Sequence, residues 1–152
     1  MIYRLKATLP NNKNFLRVYE VKADSTLYAF HLFLQNDLSF SPDQQLFFRS
    51  MDATGGTVHE YGLFDIGNGS MDQVRLDALH QKGVQEIQYI FDIFKGRYLI
   101  LHFEGIEEEL ARKTYPRTIM EQGGDPGQFR EDQMPLELTF DESDSGPTDD
   151  DE

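Results

Sequence analysis

The 152-residue chain contains no cysteine and no tryptophan. Without cysteine, disulfides, thiolate nucleophiles and Cys-based zinc sites are excluded. No run approaches the ~20 apolar residues of a membrane span. The N-terminal MIYRLKATLP lacks the apolar stretch of a secretory signal. The sequence therefore reads as soluble and cytoplasmic, with no membrane partner. Basic residues are missing where acids gather: residues 131–152 hold ten Asp and Glu and no Lys or Arg. The net charge of −13 sits mostly there, because residues 1–130 carry seventeen acids against fourteen bases. A block of like charge repels itself and is expected to be a disordered tail. Its chemistry suits an interaction segment for a basic protein partner. The near-neutral body has no basic stripe, which argues against nucleic-acid binding.

What remains is rich in Phe and Tyr and strongly patterned. In IYRLKATL, Tyr3, Leu5, Ala7 and Leu9 share one face, with Arg4 and Lys6 opposite, the mark of a half-buried strand. Pro10 to Asn14 is turn chemistry, and FLRVYEV returns, so the pair reads as a hairpin. Leu27, Phe30, Leu34 and Leu38 recur at helical spacing with His31 beside them, predicting the main helix over about 26–38. Asp24 or Ser25 is its expected N-cap. LFFRS and TVHEYGLF read as short strands, and RLDALHQKG as one or two helical turns ending at Gly83. The strongest strand signal is QEIQYIFDIFKGRYLILHFEG, a long hairpin with Ile87, Tyr89, Phe91 and Ile93 in phase and Leu99, Leu101 and Phe103 on the return. EEELARK suggests a short helix and PLELTF an edge strand. The expected fold is α+β, a mostly antiparallel sheet with the helix on one face. One domain is expected over 1–130, with the acidic tail over 131–152.

Candidate chemistry is sparse. No two of the four histidines show a metal-ligand spacing, and no GxSxG is present. Asp92 is the most interesting carboxylate, because it interrupts an aromatic run. His31 and His102 are the histidines that could work with it. Alternation places Asp92 on the solvent face; alternatively, it orders the following turn by accepting from backbone amides. The glycine-rich GNGS (67–70) and GGDPG (123–127) lack the following helix of a phosphate cradle and read as turns. Arg112, Lys113 and Arg117 form a small basic group facing EEE at 107–109. No cofactor and no metal is expected.

Three segments carry a resemblance. They are TLYAFHLFLQNDLSFSPDQQLFF, then VRLDALHQKGVQEIQYIFD, which closes on Tyr89, Phe91 and Asp92, and then Tyr115-Pro116 with Gly123-Gly124-Asp125-Pro126. In these the chain resembles the plasmid pRiA4b ORF-3-like family, whose members also appear as insertion-element passenger proteins of TnpR type. The resemblance covers residues 2–127 and implies an α+β fold in a bacterial setting. It implies no established activity. The chain departs from the family pattern in having Leu99 near an expected His and Thr118 at an expected Cys. The reading is a non-catalytic binding or interaction module, tied to plasmid or mobile-element biology. The alternative is a hydrolase with a carboxylate/histidine site around Asp92. The stretch from Tyr115 to Phe129 is expected to be an irregular segment pinned to the sheet by Tyr115, Ile119 and Phe129.

Overall fold

A computed structural model describes residues 1–42, 46–52, 54, 56–65, 67 and 69–127. Phe129, the Pro135–Phe140 strand expectation and the acidic tail lie outside them. Seven strands form one antiparallel sheet in the order β4-β3-β5-β6-β1-β2-β7. The strands are β1 (Ile2–Leu9), β2 (Asn12–Lys22), β3 (Phe47–Met51), β4 (Thr57–Tyr61), β5 (Glu86–Asp92), β6 (Arg97–Glu107) and β7 (Arg117–Gln122). Helices α1 (Leu27–Asp37) and α2 (Leu76–Gln81) accompany them. The expected α+β class is what is found. Both strands of the first hairpin, β1–β2, are interior, because β6 pairs with the other side of β1 and β7 with the other side of β2.

The periodic residues explain the packing. Leu27, Phe30, Leu34 and Leu38 are fully buried and share a core with Tyr19, Phe48 and Tyr89 from the sheet. Phe30 stacks on Phe48 at 6.2 Å and meets Tyr19 edge-on at 6.2 Å. Each such side chain contributes about 1.5–3 kcal/mol through burial alone. The N-cap is Thr26, not Asp24 or Ser25: its hydroxyl accepts from the Ala29 N–H at 3.1 Å. Ser25 is committed elsewhere, its carbonyl accepting from the Leu76 N–H at 2.9 Å. That bond and the one from the Leu27 N–H to the Val74 carbonyl, 2.8 Å, sew the entry of α1 to the entry of α2.

α1 ends on an acid, Asp37, which the helix dipole disfavours there. Two hydroxyls offset this: Tyr19 Oη donates to it at 2.9 Å and Thr118 Oγ1 at 3.1 Å. Burial, and then the Asp37 carboxylate, push the Tyr19 phenol well above its ordinary pKa.

Three further expectations are corrected. EEELARK is not a helix: β6 runs on to Glu107, which pairs with Ile2. Glu109 instead lies 3.3 Å from Lys22 Nζ. The basic group also separates, because Arg117 turns onto the sheet and its Nη1 donates to Glu20 Oε1 at 2.6 Å. The stretch after Tyr115 is not irregular throughout. Residues 117–122 form β7 and close one edge of the sheet against β2. Tyr115 and Ile119 are half-buried there.

Candidate functional site

The β5–β6 hairpin contains a register shift between Ile90 and Asp92. A bulge of this kind puts an extra residue into one strand and breaks its alternation. Asp92 is not solvent-facing, as simple alternation expects, but only 3% exposed, and Gln88 and Ile90 before the shift are buried as well. Its carboxylate accepts from the Lys95 N–H at 3.2 Å and from Arg97 Nε at 3.0 Å. It therefore orders the turn that follows. The same shift and the turn carry Ile93 out of the core, to 44% exposure.

Arg97 links two segments far apart in sequence. Besides Asp92, its guanidinium covers the Phe91 ring at 5.2 Å, and its Nη2 donates to the Gly127 carbonyl at 2.8 Å. The segment ending at Gly127 is held upstream by a second arginine. Arg17 is fully buried. Its Nη1 donates to the Gln122 carbonyl at 2.7 Å and its Nη2 to the Gly123 carbonyl at 3.0 Å. Asp125 accepts from Ser39 Oγ at 2.9 Å and lies 3.4 Å from Arg17 Nη2. Gly123 itself is obligatory: its φ is +81° and a Cβ would sit 2.5 Å from the Asn14 carbonyl oxygen.

Between these straps lies a cleft of about 580 Å³. The β1–β2 turn, Leu9 to Asn12, forms one wall, and Lys95 to Tyr98 form another. Phe91 and Pro126 complete it. Phe91 is fixed from behind by stacking on Phe40 at 4.7 Å. Apolar surface, two side-chain amides (Asn11, Asn12) and two cations (Lys95, Arg97) thus meet in one concavity. That set suits a ligand with an anionic group beside an apolar one. Asp92 does not line the cleft.

The singled-out polar residues fall in three places. His31 is buried under α1, sharing a 2.8 Å hydrogen bond with the Tyr89 hydroxyl. Burial holds its pKa below the ordinary 6.5 and raises that of Tyr89. His102 is half-exposed on the opposite sheet face, in register with Lys6 and Glu86, and 3.9 Å from Glu104. Asp92 stands at the hairpin end, where its carboxylate bonds to Arg97 and the Lys95 N–H rather than to either histidine. Among the family-pattern residues, Tyr89 and Phe91 are core, while Tyr115 and Pro116 are half-buried just before β7. Leu99, near the His that the resemblance implies, is fully buried. Thr118, at the Cys that it implies, holds Asp37. Among the described residues no group of three His, Asp or Glu is placed to hold a metal ion.

Arg17 and Arg97 escaped the sequence reading. Arg17 was legible in principle: it stands in phase with Phe15, Tyr19 and Val21, an arginine at a core position of an alternating strand. Nothing local marks Arg97 apart from the turn around it.

The family described as plasmid pRiA4b ORF-3-like protein matches residues 1–132. Among solved structures, the chain is similar to the crystal structure of a protein of unknown function, MM3350 from Methanosarcina mazei Go1. The TM-score is 0.69 at 17% identity, covering 79% of this chain and 68% of that one. At that identity the likeness speaks for the fold alone. No curated protein matches. Since the family match spans most of its length, the chain belongs to the plasmid pRiA4b ORF-3-like family.

Proposed function

We propose that the chain is a non-catalytic binding module that takes its ligand in the cleft between the β1–β2 and β5–β6 turns. One observation carries this reading. Two segments of the family pattern, Phe91-Asp92 and Gly123 to Pro126, converge on that cleft, and Arg97 ties them together through Asp92 and Gly127. Asp92 serves here as a positioning residue for Arg97. The ligand class that fits is a carboxylate-bearing group with an apolar neighbour, such as an acidic peptide. The acidic residues 131–152, outside the described part, are a second contact, for a basic face of a protein partner. The family's name, taken from a plasmid reading frame, is what supports tying this binding to plasmid or mobile-element biology.

The test is titration of the isotope-labelled full chain with short acidic, neutral and basic peptides carrying an aromatic residue. Acidic peptides should shift the amide signals of Asn11, Asn12, Gly96 and Tyr98. Absence of shifts with every peptide sinks the cleft reading. A parallel panel of chromogenic esters and phosphates should show no turnover. Turnover abolished by Asp92→Asn would replace binding with the hydrolase alternative.

A further inference from the structure

Where β3 begins and β4 and β5 end, several apolar side chains face water together. Phe64 is 83% exposed and Phe94 92%. Leu63 and Ile93 are also exposed, and with Leu46, Phe47 and Phe64 they line a groove of about 340 Å³. Single exposed apolar residues are ordinary on a protein surface, but a contiguous group around a groove marks a docking site.

The position of the chain at Gly127 indicates what covers it. Gly127 is the last described residue, and Arg97 holds its carbonyl. Arg97 closes the turn that carries Ile93 and Phe94, so Gly127 lies at the same hairpin end as the groove, which Ile93 lines. Apolar side chains in that remainder gather in MPLELTF, Met134 to Phe140. Leu136, Leu138 and Phe140 alternate with Glu137 and Thr139, and in an extended segment they share one side. After Phe140 the sequence is DESDSGPTDDDE, without a large apolar residue. The nine residues from Gly127 to Leu136 reach up to ~30 Å when extended, enough to round a four-residue turn.

We propose that Leu136, Leu138 and Phe140 dock in cis into the groove lined by Phe47, Leu63, Phe64 and Ile93. The segment covers the apolar group and leaves the acidic residues after Phe140 projecting from that end of the sheet. This assignment stands on a different surface from the cleft and does not depend on it.

The absence of cysteine allows a single spin label at Thr139→Cys in the full chain, a substitution that keeps all three docking side chains. The amide signals of Leu63, Phe64, Ile93 and Phe94 should lose most of their intensity relative to the reduced label. Signals of Lys6 and His102 should not. No loss at the groove overturns the proposal. Loss that appears when isotope-labelled wild type is mixed with unlabelled, spin-labelled chain also overturns it, because the occupant is then a second copy. Independently, replacing Leu136, Leu138 and Phe140 by Ser in the full chain should raise the fluorescence of a hydrophobic dye severalfold. Unchanged fluorescence counts against docking in the same way.

Discussion

Beneath α1, Phe30 lies among Tyr19, Phe33 and Phe48, ring against ring, and strands β2 and β3 meet over it. At the β7 edge, the buried Arg17 guanidinium reaches two backbone carbonyls and two carboxylates of residues 121–125. Both regions hang on β2, two residues apart, at Arg17 and Tyr19. The first depends on apolar area, which is non-directional and divides the contribution among many contacts. The second concentrates its contribution in one cation with fixed donor directions. The middle of the sheet should therefore forgive a change of shape that keeps volume. The edge should not forgive a change that keeps charge.

The largest effect belongs to the middle when volume is removed. Phe30→Ala should cost about 3–5 kcal/mol and shift the whole urea transition, whereas Leu34→Met should cost less than ~1.5 kcal/mol. Next comes the edge. Arg17→Met should cost about 3 kcal/mol, and Arg17→Lys should recover little, because an ammonium cannot reach both carbonyls in the guanidinium geometry. Amide exchange should quicken across Arg17→Met β7 before it does so in β5. Equal protection in the two strands would show that the edge is not a separate cooperative unit.

Gly123→Ala follows, at about 1–3 kcal/mol. The residue would take a left-handed conformation and press a methyl group onto the Asn14 carbonyl oxygen. Its signature should again be localised to β7 and the segment after it.

The smallest effect tests a polar pair placed inside the apolar middle. Burial holds the His31 imidazole below its ordinary 6.5, so the unfolded chain takes up this proton first as pH falls. Stability should accordingly drop as pH falls through 6.5 toward the folded-state value, and rise with pH over that window. His31→Gln should flatten that slope in urea melts at matched pH. An unchanged slope would assign the titration to other groups. Glu20 acts in a separate, more acidic window. Burial raises its pKa, but Arg117 and Arg4 outweigh burial and leave it lowered, so its contribution is lost only as pH falls through that depressed value.

The same contrast explains what was legible in the sequence. Periodicity reports apolar contacts, so the β1–β2 hairpin, α1 and the β5–β6 hairpin could be read from it. It does not report bulges such as the one after Ile90, nor that both faces of β5 are covered, so that Asp92 is buried and Ile93 beyond it exposed. RTIMEQ shows little alternation because β7 is an edge strand, half-buried at its start and exposed at its end. Its existence depends on partners about a hundred residues away, among them Tyr19 opposite Thr118. EEELARK has a helical composition, but pairing with Ile2 and its neighbours claims Glu107 for β6. The cleft was invisible for a related reason. Its walls come from two turns and Pro126, and the arginine that joins them looks local in the sequence.

The central place of β1 has a consequence for synthesis. Ile2 to Thr8 pair on one side with β2, which follows at once, and on the other with Ile100 to Glu107. At about 5–20 residues per second, a ribosome makes the second partner several seconds or more after the first. During that interval the β1–β2 hairpin presents an open edge that only β6 is meant to fill. Lys6, pointing outward from that edge strand, is the kind of charge that discourages other chains from filling it first.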